Sequence, residues 1–515
     1  MKRINLLLTT LAAIFLVSIF LRFSFLTADP IPYTLSGATW FDEGSYVHNA
    51  RNLVLFGSLY LENDAWNPVF LSPTYTYLSI LFFKLFGLGT FSMRLLPSIL
   101  GIISILIVGS FLIAKNFEKG LIYMAILVIN SMLIAYSRIA IPEAVLLFFI
   151  MIIFGLMIQN KQYSWFMIGL LTPFLFFSKI TSLFFVVSIP ISLFFHSLLY
   201  KSKVSFKKLR LFIFGAAISL LFWIIWLIPN LDNWILMNFG NHGDRIGTSV
   251  TELGVASLTS FEFILLDPII AISTIIMLLF IFIQVKKRRR VEILDLFLVV
   301  LLITFTMQII LVDYSLRRFV LLVPILAYFA AELISKIRDS KIEYKEINLV
   351  IDGKKIIILI LLFYIIISLA NLAPYYANIL KDPNSAYTLK HNSQNISNYI
   401  PFGAKVYGRH ATALSLENGI VTYFGDYESR LGNKDKQILP LMQNKEINYA
   451  ILKINIFDDK ERMELGINLN KSSVHKYIYD NFEIIAELNG IHTRTNEPDT
   501  KYIYRRIYNQ STYSE

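Results

Sequence analysis

Eleven apolar segments of 15 to 23 residues constrain the fold of this 515-residue chain more than any other feature. Inside a bilayer every backbone polar group must be satisfied within the protein, and a spanning helix needs roughly 20 apolar residues. The chain is 56% hydrophobic and 16% charged, whereas soluble domains are about 25% charged. We therefore predict a polytopic α-helical membrane protein with about 11 spans. The segments are 4–26, 95–114, 121–137, 143–158, 164–178, 180–200, 209–228, 263–285, 292–312, 317–335 and 356–373.

Lysine and arginine are distributed unevenly among the loops between these segments. With the N-terminus inside, the inside loops hold 18 of these cations and the outside connections hold 3. Short cytoplasmic loops of membrane proteins are rich in cations, so the net charge of +11 indicates membrane topology and not a nucleic-acid partner. The short segment Pro73–Leu88, which contains Lys84, is predicted to be an interfacial or re-entrant helix, because counting it as a span would place Lys286–Arg290 outside.

The character of the chain changes after the last apolar segment. Residues 374–515 are polar and contain short β-like runs such as GIVTYF and NYAILKI, separated by turn-forming residues. We predict a transmembrane module at 1–373, with an outer loop at 27–94, followed by an extracytoplasmic soluble α/β domain. The apolar run after Lys2 and Arg3 is too long for a signal peptide, so it is predicted to be an uncleaved first span with a cytoplasmic N-terminus. Cysteine is absent, which excludes disulfides and thiolate metal sites.

Two adjacent carboxylates, Asp42 and Glu43, follow the first apolar segment in the stretch TWFDEGSYVHNARNLVLFGSLY. Val47, Ala50 and Val54 recur after them at helical spacing, which predicts an amphipathic helix lying in the membrane interface. Asp42 suits the N-cap of that helix, a structural role that aspartate fills well. A carboxylate fixed at a helix start beside a membrane is also well positioned to accept a proton from a hydroxyl nucleophile. The two roles are compatible.

Further charged residues stand at the predicted outer ends of later spans. Arg138 and Glu143 flank the connection in YSRIAIPEA, where they form either a binding site or a plain interfacial ion pair. Lys179 lies between two apolar runs in FFSKITSLFF, a costly position that usually marks a function. Arg317 and Arg318, in DYSLRRFVLLVP, are suited to binding an anionic phosphate or to anchoring an aromatic belt.

The predicted outer loop 229–262 contains the sequence NHGDR, whose His242 and Arg245 either reach over a site or belong to an idle connection. The chain has no Walker loop, Rossmann glycine fingerprint, HExxH motif or recognisable Ser-His-Asp arrangement. Nothing in the sequence is therefore typical of a nucleotide site. If the protein is a transferase, its donor is expected to arrive through the membrane.

Several of these motifs occur in the order found in a known family of membrane enzymes. They are FDEGSYVHNARNLVLFG, SPTYTYLSILFFKLFG, SMRLLPSILG, YSRIAIPEAVLLFF, FFSKITSLFF and YSLRRFVLLVPILAYFAA. Over roughly residues 1–335 the chain resembles the GT-C glycosyltransferases, in the branch of protein O-mannosyltransferases and lipid A aminoarabinose transferases. Members of that family move a sugar from a polyprenyl-phosphate carrier to an acceptor hydroxyl, of a protein or a glycolipid, on the outer face.

The resemblance implies roles for the two acids of the first loop. Asp42 would be the general base and Glu43 a supporting acid. From the helical pattern itself, Asp42 is expected to be held by local geometry, whereas Glu43 is free to turn toward Arg138 or solvent. A phosphate leaving group needs no general acid, and a single attack at the anomeric carbon predicts inversion. The chain has Ser72-Pro73 where the family often has two prolines, and Glu143 where aspartate is common, so the acceptor and any divalent metal ion stay open.

Two other classes of function compete with the transferase. A transporter or flippase of lipid-linked sugars would explain the spans and the buried charges, but not an acidic pair beside an outer interfacial helix. Transporters also tend to contain internal repeats, and the sequence has none. A scaffold whose domain at 374–515 binds a partner is the third class.

Overall fold

The structure is a computed structural model that describes most of the chain. Met1, several internal stretches and the last eight residues are outside the description. The described residues are 2–30, 39–62, 64, 66–240, 263–264, 266–287, 291–311, 316–337, 341–344, 349–408, 410–423, 435–453, 455–460, 469, 473–488 and 500–507.

The described part of the chain is mostly helical, with strands concentrated near the C-terminus. In chain order the α-helices are α1 (Lys2–Phe23), α2 (Thr39–Phe56), α3 (Pro73–Phe86), α4 (Thr90–Lys115), α5 (Phe117–Ile129), α6 (Ser131–Tyr136), α7 (Glu143–Gln159), α8 (Gln162–Ser178), α9 (Leu183–Tyr200), α10 (Lys203–Leu227), α11 (Leu231–Ile235), α12 (Pro268–Lys286), α13 (Ile293–Leu311), α14 (Leu316–Phe319), α15 (Val323–Ile337), α16 (Gly353–Lys381), α17 (Pro383–Ala386), α18 (Thr388–Asn395), α19 (Ala411–Leu414), α20 (Asp435–Gln443) and α21 (Ser473–Asn481). The strands are β1 (Lys341–Tyr344), β2 (Leu349–Asp352), β3 (Lys405–Tyr407), β4 (Val421–Tyr423), β5 (Tyr449–Leu452), β6 (Phe482–Leu488) and β7 (Lys501–Arg506).

The chain divides into two compact units, each assembled from three separate stretches. Unit 1 comprises residues 1–24, 97–231 and 245–376, and unit 2 comprises residues 25–96, 232–244 and 377–515. The division proposed from the sequence, at 373/374, stays a prediction.

Five of the described helices are long and apolar enough to cross a membrane. They include α4, the segment Ile180–Tyr200 that ends in α9, the segment Lys203–Phe239 that begins with α10, α12, and the apolar part of α16. Thr9–Phe23, Glu143–Gln159 and Ile293–Ile309 are shorter apolar helices. These helices indicate a membrane protein, while the count of about 11 spans stays a prediction.

The predicted span 121–137 is not one continuous helix in the structure. It is divided between α5 and α6 at Asn130, whose side-chain oxygen accepts a hydrogen bond from the backbone N–H of Leu133 and caps α6. Asn is a favoured N-cap residue because its side chain competes for backbone groups in this way. The break follows from this local signal, which an apolar average over the segment does not detect.

Helices α8 and α10 of unit 1 approach each other closely through two glycines. A Cβ on Gly169 would lie 2.1 Å from the carbonyl oxygen of Phe212, and one on Gly215 would lie 2.2 Å from that of Phe166. Small residues at such positions let helix backbones pack directly in a membrane. Any larger side chain at either glycine would force the two helices apart.

Unit 2 combines helices from the predicted outer loop at 27–94 with a sheet from the C-terminal region. Helix α3, which fills most of the predicted interfacial segment, has an exposed apolar stripe of Tyr77, Leu81 and Leu85. Its place at a membrane surface stays a prediction. A Cβ on Gly44 of α2 would lie 2.5 Å from the backbone nitrogen of Ala413 in α19, so glycine is required there for α2 and α19 to pack.

The sheet of unit 2 has five strands in the order β4-β3-β5-β7-β6. Strand β3 pairs in parallel with β4 and β5, whereas β7 pairs antiparallel with β5 and β6. Helices α20 and α21 contribute Met442 and Ile478 to an apolar core with the sheet residues Leu452, Phe482 and Tyr504.

Candidate active site

Asp42 lies in the first turn of α2, at the edge of the buried part of unit 2. The helix begins at Thr39, so Asp42 follows the helix start by three residues and the predicted N-cap position is wrong. Its side chain is partly exposed, whereas the next residue is fully buried. An acid in the first turn still interacts favourably with the positive end of the helix dipole. Partial exposure leaves Asp42 accessible to a ligand.

Glu43 forms a bidentate ion pair with an arginine that the sequence analysis did not select. Arg94 of α4 donates to the two carboxylate oxygens at 2.8 and 2.7 Å, and both side chains are buried. Arg94 also donates to the backbone carbonyls of Leu26 and Ala28. The expectation that Glu43 turns toward Arg138 or solvent is therefore wrong. A buried carboxylate requires a paired cation, and Arg94 in SMRLLPSILG supplies it.

The middle of α2 is buried on all its faces. Residues 43–52 are all buried, so the predicted amphipathic helix with one face toward solvent or lipid headgroups is wrong over this stretch. The helix carries polar side chains on several faces, and several of them form hydrogen bonds within unit 2. Arg51 donates to the carbonyls of Ser415, Leu416, Asn418 and Ile420. Burial lowers the pKa of Arg51 to about 9.

His48 is the centre of a second buried polar group on α2. Its Nε2 lies 2.5 Å from a carboxylate oxygen of Asp64 and 3.2 Å from the side-chain nitrogen of Asn52. Its Nδ1 lies 3.0 Å from the hydroxyl oxygen of Thr412. These contacts tie α2 to Asp64 and to Thr412 of α19, although the buried side-chain oxygen of Asn52 has no partner among the described residues.

A cluster of three cations around one carboxylate lies in unit 1, and we call it the cation cluster. Glu143, fully buried at the start of α7, accepts hydrogen bonds from Lys179 at 2.8 Å and Arg318 at 2.9 Å. The Nε of Arg317 lies 3.8 Å from the same oxygen. Arg318 also donates to the hydroxyl of Thr181 at 3.1 Å. Four residues predicted separately from sequence are thus brought together.

The local sequence explains why these side chains converge. Pro142 precedes Glu143 and suits a helix start, where a carboxylate is also favoured by the helix dipole. Lys179 stands at the break between α8 and a short 3₁₀ helix, in extended backbone. The described contacts place three cations around the carboxylate of Glu143. Ammonium and guanidinium groups that converge in this way are suited to an anionic phosphate.

Arg138 has a different environment from the cation cluster. It donates to the carbonyls of Leu21, Arg22 and Ser24 at 3.0, 3.3 and 2.7 Å, and to the hydroxyl of Tyr375 at 3.1 Å. These are the carbonyls at the C-terminal end of α1, where a cation is favoured. Arg138 therefore caps α1, and its predicted role in binding substrate stays a prediction.

Two further predictions concern the loop residues His242 and Arg245 and a divalent metal ion. His242 and Arg245 lie outside the described residues. Within the described ranges, no group of three or more His, Asp or Glu side chains is arranged to hold a metal ion. No described residue is therefore assigned as a metal ligand.

Comparison with known proteins identifies the fold. No protein-family model and no curated protein sequence matches the chain. It is similar to the solved structures of ArnT from Cupriavidus metallidurans, in the apo state (TM-score 0.62, 11% identity, covering 98% of this chain and 99% of that one) and bound to undecaprenyl phosphate (TM-score 0.59, 11% identity, 98% of each chain). It is also similar to the Archaeoglobus fulgidus oligosaccharyltransferase AglB in complex with an inhibitory peptide and a dolichol-phosphate (TM-score 0.50, 12% identity, 99% of this chain and 75% of that one). These proteins are GT-C glycosyltransferases, so the chain has the GT-C fold that the sequence resemblance implied.

Proposed function

We propose that the protein is an inverting membrane glycosyltransferase that moves a sugar from a polyprenyl-phosphate carrier to an acceptor hydroxyl on the outer face. The GT-C fold over nearly the whole chain supports this class of reaction. The observation that carries the proposal is the cation cluster, in which Lys179, Arg317 and Arg318 converge on the carboxylate of Glu143. The acceptor is a protein or a glycolipid.

The cation cluster is suited to the phosphate of the carrier. Guanidinium groups stay ionised and bind phosphate oxygens through paired hydrogen bonds, and the ammonium group adds a compact charge. Glu143 holds the cations close together before the donor arrives, so their mutual repulsion is already offset. During transfer the same cations stabilise the negative charge that accumulates on the leaving phosphate.

The proposed chemistry needs one base and one leaving group. The acceptor hydroxyl oxygen attacks the anomeric carbon of the sugar while its proton passes to the carboxylate of Asp42. The bond between that carbon and the phosphate oxygen breaks, and its electron pair leaves with polyprenyl phosphate. One displacement inverts the anomeric configuration. Glu43, held by Arg94, acts as a positioning residue for the start of α2.

The double substitution R317Q/R318Q is expected to weaken binding of undecaprenyl phosphate by at least about 100-fold. Each charge-assisted hydrogen bond contributes about 1.5–3 kcal/mol, and two arginines are removed. Lys179 stays to pair with Glu143, so the fold retains a partner for that buried acid. The affinity is measured with purified protein in detergent.

Lys119→Gln provides the matched control for this experiment. Lys119 forms an ion pair with Glu332 at 2.6 Å, which resembles the pair of Lys179 with Glu143, but it belongs to a different group of residues. Its removal is expected to leave carrier affinity unchanged. Equal affinity in the parent and in R317Q/R318Q would rule out the two arginines as the phosphate site.

The predicted topology has its own test. A reporter that is active only outside the cell is expected to be inactive when fused after Arg290 and active when fused after residue 373. The reason is the uneven distribution of loop cations, 18 inside and 3 outside. Activity of the Arg290 fusion would reverse the orientation of the later spans and move the predicted domain at 374–515 to the cytoplasmic side.

A further inference from the structure

A pocket with a strongly basic lining lies where α9 turns into α10 in unit 1. We call it the basic pocket, and its volume is about 880 Å³, within the range of small-molecule sites. Four exposed cations line it, all within ten residues of the chain: Lys201, Lys203, Lys207 and Arg210. None of these four forms an ion pair with a described residue of the chain. Its lining includes neither Asp42 nor any residue of the cation cluster.

The stretch of chain that forms the basic pocket carries cations and no acids. The sequence contains no aspartate or glutamate from residue 144 to residue 231. The first turn of α10 has no acidic residue and begins with Lys203, although a cation at a helix N-terminus is electrostatically unfavourable. Ser202 occupies the N-cap, so the helix starts at the pocket wall. An anionic ligand would offset both the clustered cations and the positive helix end.

The walls of the basic pocket are apolar as well as charged. Phe206 and Phe214, which are 54% and 60% exposed, line it together with Leu211. They belong to the apolar segment Lys203–Phe239, in which only 22% of the spanning window is buried by the protein. A helix that is apolar and so little covered faces the acyl chains of the bilayer. The cations therefore stand at the end of a lipid-facing surface.

We propose that the basic pocket binds an anionic phospholipid of the surrounding bilayer. The lipid phosphate would lie among the four cations, and the acyl chains would run along Phe206 and Phe214. Basic pockets between membrane helices recognise acidic headgroups in this manner. Phosphate without acyl chains would use the cations but leave the aromatic wall uncovered. This site is independent of the proposed sugar transfer.

Binding of a dioctanoyl phosphatidylglycerol probe to the purified full-length protein tests the proposal. The parent is expected to bind this lipid and not dioctanoyl phosphatidylcholine. Lys207→Gln is expected to weaken binding about fivefold, which is the effect of removing one cation near a headgroup. The triple variant K203Q/K207Q/R210Q is expected to weaken binding by about 100-fold. Glutamine keeps the helix propensity of α10 close to that of the parent. A thermal unfolding midpoint close to the parent value shows that each variant is folded.

Lys208→Gln is the matched control, because Lys208 is the neighbour of Lys207 but does not line the pocket. Its Nζ donates to Asn160 at 2.6 Å and lies over the ring of Trp165. Its removal is expected to leave lipid affinity unchanged. Equal loss in Lys208→Gln and Lys207→Gln would show a diffuse surface effect and overturn the proposal. Unchanged binding in the triple variant, or equally tight binding of glycerol phosphate, would also overturn it.

Discussion

Replacement of Asp42 by asparagine is expected to lower the turnover of folded protein by about 10²–10⁴-fold, the usual effect of removing a general base. Asparagine has nearly the same shape but cannot accept the proton of the acceptor hydroxyl. Because Asp42 lies in the first turn of α2 and is partly exposed, loss of its charge is expected to cost only about 0.3–1 kcal/mol of stability. Turnover per folded molecule is the quantity to measure.

Glu62→Gln serves as the control for Asp42→Asn. Glu62 is an exposed acid of the same unit, so its removal changes net charge equally without a predicted catalytic effect. Turnover near that of the parent in Asp42→Asn would show that the carboxylate supports the helix start and has no part in the chemistry. A loss confined to Asp42→Asn, with carrier affinity retained, is the expected result.

Replacement of Glu43 by glutamine is expected to act on the fold and to destabilise the protein by about 3–5 kcal/mol. Arg94 would keep its charge in a buried place with no carboxylate opposite it. Arg94→Gln is expected to destabilise similarly, because it leaves Glu43 unpaired. The double variant E43Q/R94Q is expected to lose less stability than the two single variants lose together. Thermal unfolding of the purified parent, the two single variants and the double variant completes a double-mutant cycle, which measures the coupling between Glu43 and Arg94.

The cycle also separates a positioning residue from a catalytic one. If Glu43→Gln were as stable as the parent but lost turnover to the same degree as Asp42→Asn, Glu43 would act in the reaction itself. Additive effects of the two single substitutions would show that the pair contributes no coupling. Either outcome would contradict the role assigned to Glu43.

Much of the architecture could be predicted because membrane helices leave strong local signals. Long apolar runs locate the helices, and the order of the motifs led to the GT-C fold, which the solved structures confirm. The cation cluster was also accessible from sequence. Lys179, Arg317 and Arg318 are charged residues in apolar surroundings, and such residues usually mark a site.

The partners of α2 could not be predicted, because they come from distant parts of the chain. Arg94 is 51 positions from Glu43, and the carbonyls that accept from Arg51 are 364 to 369 positions away. A helical pattern indicates which residues share a face, but it does not show that distant parts of the chain bury the polar face as well as the apolar one. Polar residues at 43–52 therefore resembled a solvated surface and are instead buried.

The most direct test of the proposed function uses purified protein in proteoliposomes with a labelled polyprenyl-phosphate sugar. The acceptor is supplied as an extract of a strain from which the gene for this protein has been deleted. A transferase is expected to produce labelled acceptor and free polyprenyl phosphate in equal amounts, and Asp42→Asn is expected to produce neither. Labelled donor that crosses the bilayer intact, at the same rate in the parent and in Asp42→Asn, would contradict the transferase and favour a flippase of lipid-linked sugars.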